Sequence, residues 1–236
     1  MNFAYIVYLK LKELGVSDVK IGSYVPRWFV FSILTGRYSS SPESAFDFDI
    51  KQIANKDFGQ ILSEYEEAEL SDAFWNFSLP QSLDTSVASS PYFNVYLAAQ
   101  VKANDKGFLS KDVLVSNLIE LRGDIHHLFP KDYLKKNGLE RGMYNQIANY
   151  VYMQSEINIK VGNKPPEEYF SKILDEMENQ TNTLSGISNM VELENNLSVN
   201  CIPKEIISMK IDNYEDFLTS RRRLMADKMK EYYFSL

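Results

Sequence analysis

Asp124-Ile125-His126-His127-Leu128-Phe129-Pro130, followed by Asn149-Tyr150-Val151-Tyr152-Met153 and by Asn158, is the stretch that decides how this chain reads. The first segment is apolar and β-prone and is ended by a proline, so it predicts a short strand. The second is also β-prone. Ser155 then predicts a helix cap, with Asn158 in the first turn of the helix that follows. Residues 131–144 are polar and contain Asn137-Gly138 and Gly142, which predicts a loop between the strands. The order is strand, loop, strand, helix.

The same stretch holds both histidines of the chain, side by side. Two histidines placed at random in a chain of this length are neighbours about once in a hundred times, so the pair invites a chemical reading. Cleaving a phosphodiester needs an activated water, a divalent cation near the leaving oxygen, and a scaffold for both. A neutral imidazole can take a proton near pH 7. A second imidazole and an amide oxygen can hold one Mg²⁺ weakly, leaving positions open for phosphate and water. Neighbours on a strand point to opposite sides, so one ring can face the metal and the other the attacking water if the strand ends in a bend. The bland alternative is a pair of ordinary, partly buried histidines.

Composition bounds the rest. The chain has 236 residues, 44% hydrophobic and 24% charged, which is ordinary globular usage and argues against wholesale disorder. The formal net charge of −7 excludes a polybasic nucleic-acid binder but allows a local basic patch. The longest apolar-leaning run, Trp28 to Leu34, is too short to span a membrane. No secretory leader is evident in Met1-Asn2-Phe3-Ala4, and the one cysteine, Cys201, cannot form an internal disulfide; a cytoplasmic location is the expectation. One Cys and two His cannot supply a four-ligand structural zinc site. Neither a glycine-rich phosphate loop nor a Gly-x-Ser-x-Gly elbow is present.

Outside the central stretch the chain reads as helical. Phe3, Val7, Leu11 and Leu14 recur at helical spacing before Gly15, which predicts a helix over 2–14. Pro26 is expected to open a second helix ending at Gly36, and Pro42 a third carrying Phe46, Ile50 and Ile53. Residues 57–76 predict an acidic helix, 78–91 a loop, 92–101 an apolar helix, and Ser110 a cap for a helix reaching about Glu120. Pro165-Pro166 is expected to end the helix that starts near Ser155, and another helix begins with Glu167. The Asn/Ser/Thr-rich residues 178–200 predict a mobile surface connection. Tyr214, Phe217, Leu218, Arg221, Met225, Met229 and Tyr232 trace one last helix, on which Arg221-Arg222-Arg223 is read as surface ion pairing. The fold expected is α+β and mostly α-helical: a helical region over 1–120, a strand-rich insert over 121–170, and a C-terminal helical region over 171–236 packing back on the first.

The central stretch resembles the HNH nucleases, also called His-Me finger or ββα-metal nucleases. In that pattern an acidic or His residue precedes the catalytic His, which is followed by apolar-x-Pro; a middle Asn lies on the second strand and a final Asn or His on the helix nine residues later. The resemblance implies His127 as general base, His126 as metal ligand, and Asn149 as the middle Asn that braces the loop and orients the base. It also implies Asn158 as the helix metal ligand and Asp124 as a supporting carboxylate. The implied cofactor is Mg²⁺ or Mn²⁺, and the implied substrate is DNA.

The likeness extends to Trp28-Phe29…Leu34-Thr35-Gly36-Arg37-Tyr38-Ser39 and to Asp212-Asn213-Tyr214-Glu215-Asp216-Phe217-Leu218 with Arg221-Arg222. Together these resemble the C-terminal half of a bacterial family that joins a ParB-like nucleotidase domain to an HNH domain and includes GmrSD-type restriction and phage-defence proteins. The nucleotidase motif is absent from this chain, which is then expected to be an excised domain, a truncated product, or one part of a split system whose partner is a ParB-like nucleotidase domain or subunit. Lys131, Lys135, Lys136 and Arg141 can contact phosphates or simply solvate the loop. A non-catalytic helical scaffold that works with a separate partner is the competing expectation.

Overall fold

The computed structural model describes residues 2–121, 123, 125–181 and 183–236. Asp124 lies outside the described residues. The chain divides into two compact units, one formed by Met1–Leu79 with Met229–Leu236 and the other by Pro80–Lys228.

The first unit is helical: α1 (Asn2–Glu13), α2 (Asp18–Leu34), α3 (Pro42–Asn55) and α4 (Phe58–Glu69), then a wide π turn over Phe74–Ser78. Phe3, Val7 and Leu11 of α1 are buried, as their four-residue spacing requires. Gly15, at φ +71°, ends α1: its N–H donates to the Lys12 carbonyl and that of Val16 to the Leu11 carbonyl. That paired closure needs a left-handed residue, which glycine supplies without strain.

Helix α2 starts eight residues before Pro26 rather than at it. Pro26 and Gly22, four residues earlier, are both exposed. The carbonyl that loses its helical donor therefore faces water, and the proline is tolerated. Trp28 lies at the centre of this unit, against the rings of Phe3, Phe31, Phe58 and Tyr65. Arg37 forks onto the buried carboxylate of Asp49, with its guanidinium 4.0 Å from the centre of the Tyr65 ring.

After α5 (Leu79–Ser82), the second unit contains α6 (Pro91–Lys102), α7 (Val115–Glu120), β1 (Ile125–His127), α8 (Lys131–Lys136) and α9 (Arg141–Tyr144). Then come β2 (Tyr150–Tyr152), α10 (Ser155–Val161), α11 (Pro166–Glu178), α12 (Met190–Val199) and α13 (Tyr214–Phe234), whose last residues belong to the first unit. The two strands pair antiparallel, with Ile125 opposite Tyr152, His126 opposite Val151 and His127 opposite Tyr150. The molecule is thus α+β and mostly helical, with one small ribbon followed by a helix. Among the described residues no helix is long and apolar enough to cross a membrane.

Several expectations are corrected. The segment 131–144 is not a plain loop: α8 and α9 occupy most of it. Lys131-Asp132-Tyr133-Leu134-Lys135-Lys136 follows Pro130, and acid early with base late suits the helix dipole. Ser110 is buried and closes a turn by accepting from the Val113 N–H, while α7 begins five residues later. Ser155 is the first residue of α10 and forms no side-chain cap. That helix ends before Gly162, and Pro166 opens α11 instead of closing α10.

The largest departure is α12, inside the segment read as a mobile connection. Its Asn196 and the following Asn200 are buried. Asn196 accepts from the Leu109 N–H at 2.9 Å and donates to the Gly107 carbonyl at 3.0 Å. Asn200 donates to the Lys106 carbonyl at 3.1 Å. Amide side chains that look solvating in sequence here satisfy the backbone of an irregular buried loop, which strand or helix pairing cannot do.

Candidate functional site

β1 carries His126 and His127 on opposite faces of the ribbon. His126 is buried, 9% exposed. His127 is half-buried, and its ring meets the Tyr150 ring directly across the ribbon at 5.1 Å, edge to face. Its Nε2 lies 3.0 Å from Oδ1 of Asn145. An amide oxygen only accepts, so Nε2 carries the proton and Nδ1 keeps its lone pair.

Burial pushes the His127 pKa below the ordinary imidazole value, and the positive charge of Lys131 pushes the same way, against the Asn145 hydrogen bond. At neutral pH the ring is therefore uncharged, with one nitrogen held by Asn145 and the other a base.

The backbone leaves the strand under tight control. The Leu128 N–H donates to the Asn149 carbonyl at 2.9 Å, continuing the ladder one residue past β1. The side chain of Asn149, fully buried, grips the next residue from both sides: Oδ1 accepts from the Phe129 N–H at 2.8 Å and Nδ2 donates to the Phe129 carbonyl at 3.0 Å. The same amide donates to the Tyr144 carbonyl at 3.3 Å. The Phe129 ring packs against Tyr214 and Phe217 of α13, and Tyr169 of α11 donates its hydroxyl to the Leu128 carbonyl. Asn149 thus braces the loop after His127, whereas the hydrogen bond to the His127 ring comes from Asn145.

Cations gather on this side. Lys131 and Lys135 lie over the Tyr144 ring, with Nζ 5.8 and 5.6 Å from its centre. The Arg141 charge is felt at the Tyr150 hydroxyl, opposing the upward push of burial there. Lys136 is exposed in the last turn of α8. Asn158 is half-buried in the first turn of α10. Among the described residues no three His, Cys, Asp or Glu side chains are gathered as a metal site.

The chain is similar to the uncharacterized protein MJ0686 of Methanocaldococcus jannaschii, at 24% identity over 227 residues covering 91% of this chain. That alignment takes in 38% of the archaeal protein, so the chain spans well under half the length of this relative. No family model matches the chain. No solved structure matches it either.

Sequence reasoning missed Asn145. It stands just past the residues read as loop, 131–144, and four residues before Asn149, and carries no motif signal of its own. It also misread Arg221 of α13. Arg221 is buried, not a surface ion-pairing residue. Arg222 does pair, with Asp84 at 2.7 Å, and also donates to Gln146.

Proposed function

We propose that this chain carries an HNH-type endonuclease site that hydrolyses DNA phosphodiester bonds with Mg²⁺ or Mn²⁺. The observation that supports it best is the His127–Asn145 hydrogen bond, which places the lone pair of the neutral imidazole on Nδ1. In this reading His127 takes the proton from the attacking water. Asn145 holds the ring through Nε2, and Asn149 fixes the loop through Phe129. Lys131, Lys135 and Arg141 attract and orient the phosphate backbone.

His126 and Asn158 would hold the cation, with Asp124 as a supporting carboxylate. One imidazole and one amide oxygen make a sparse donor set. That fits a hard cation which takes most of its coordination from phosphate and water, and not an all-protein cage. When bound, the cation stabilises charge developing on the leaving oxygen. The strand–strand–helix order of β1, β2 and α10 is consistent with the ββα-metal arrangement. The resemblance of the sequence to restriction and phage-defence proteins suggests cleavage of foreign or modified DNA, together with a ParB-like nucleotidase domain or subunit.

The test is plasmid nicking by the purified chain with Mg²⁺ or Mn²⁺, beside His127→Ala. Cleavage that disappears in the variant supports the assignment. Cleavage that survives it means another base, and no cleavage by the wild type moves the weight to a partner-dependent scaffold.

A further inference from the structure

Arg221 is 1% exposed, yet among the described residues no carboxylate pairs with it. Its guanidinium instead donates to two backbone carbonyls, from Nη1 to Ala148 at 2.8 Å and from Nη2 to Asn200 at 3.3 Å. Its Nε finds no partner. Its surroundings include Tyr96, Tyr169 and Cys201. An unpaired buried charge is far more costly than a neutral side chain, so a plain structural tie is a poor reason to keep one here.

What the charge holds is specific. The Ala148 carbonyl lies between Asn145, bonded to the His127 ring, and Asn149, bonded to both backbone groups of Phe129. Other tethers meet the same segment from the same helix: Tyr214 donates to the Met143 carbonyl at 3.0 Å, and Arg222 to the Gln146 side chain at 3.2 Å. Those two tethers are only part-buried; the Arg221 tether is fully buried. A planar guanidinium can reach two carbonyls in a fixed fork, which an ammonium or an amide cannot copy.

We infer that Arg221 is a positioning residue for His127: its buried guanidinium anchors the 147–149 turn at the Ala148 carbonyl, and through Asn145 and Asn149 on either side it sets the ring and the loop of the base. The inference rests on the proposed role of His127, but its structural part can be read without cleavage.

The experiment is NMR of the His127 ring in the full chain at a pH above the histidine range, comparing wild type, Arg221→Gln, Arg221→Lys and Arg222→Gln. Two histidines make the spectrum simple, and His127→Ala assigns it. In wild type the ring signals are expected to be displaced by the Tyr150 ring, and the Nε2–H signal to be protected by Asn145. In folded Arg221→Gln both features are expected to be lost, and in Arg221→Lys to be weakened, while Arg222→Gln stays close to wild type. Where the chain nicks plasmid, kcat should fall at least tenfold in Arg221→Gln with KM unchanged. If Arg221→Gln does not fold, Arg221→Lys decides.

A folded Arg221 variant whose His127 signals match wild type, or move no further than those of Arg222→Gln, overturns the inference. Absence of cleavage by wild type would sink the nuclease reading alone, because the ring signals still report the positioning.

Discussion

Nε2 of His127 and Oδ1 of Asn145 are 3.0 Å apart, and that one hydrogen bond decides which nitrogen of the ring carries the proton. Asn145→Ala should therefore leave the fold intact and lower the rate of DNA nicking by about 10- to 100-fold, the usual cost of losing a residue that orients a reacting group. Plasmid nicking beside a thermal melt checks both halves. An unchanged rate would show that Tyr150 and the loop hold the ring unaided.

The pH dependence follows from the downward shift of the His127 pKa. The base works only when neutral, so the rate should rise with pH and reach half its plateau below pH 6.5, the ordinary imidazole value. Stability moves in the same direction. Above that value both folded and unfolded chains hold the ring neutral. As pH falls below it the unfolded chain protonates first, and stability declines until the lower folded pKa has been passed. A rate profile and a set of urea melts over this range test the two consequences separately.

Metal binding is expected to raise the melting temperature, since a ligand that favours the folded state stabilises it by mass action. The shift with Mg²⁺ or Mn²⁺ should be present in wild type and absent in His126→Ala. Equal shifts in both proteins would remove His126 from the metal site.

Asn196 serves stability rather than chemistry. Its removal in Asn196→Ala leaves the buried Leu109 N–H without a partner and takes one of two donors from the Gly107 carbonyl, which keeps the Ser110 N–H. The expected cost is about 2–3 kcal/mol, read as a lower urea midpoint. A change well under 1 kcal/mol would mean that water replaces the amide at this loop.

Much of the helical content was legible because it rests on local rules. The four-residue spacing of Phe3, Val7 and Leu11, the stop at Gly15 and the apolar stripe of α13 need only chain geometry and solvent. The ribbon was legible from two β-prone runs, though β1 is three residues long and shorter than the apolar segment suggests. The residues singled out there fall on β1 (His126 and His127), the turn before β2 (Asn149) and the first turn of α10 (Asn158).

What stayed hidden is polar. Asn145, Asn196, Asn200 and Arg221 all resemble surface residues in sequence, and their tasks consist of hydrogen bonds to chain segments up to about a hundred residues away. No periodicity records such a partner. Pro26 misled for a related reason: a proline predicts a helix start, and only the exposure of Gly22 and Pro26 shows why the helix runs through it.

The amino-acid sequence by itself determined the mostly helical α+β character, the place of the ribbon, and the pairing of two histidines on its opposite faces, because short-range sterics and alternation settle these. Tertiary structure alone decided the ring state of His127 and the grip of Asn149 on Phe129. It alone also put the Arg221 charge behind the Ala148 carbonyl. Each of these depends on which distant donor or acceptor is brought within about 3 Å, and a buried polar group must find its partner wherever the fold puts one.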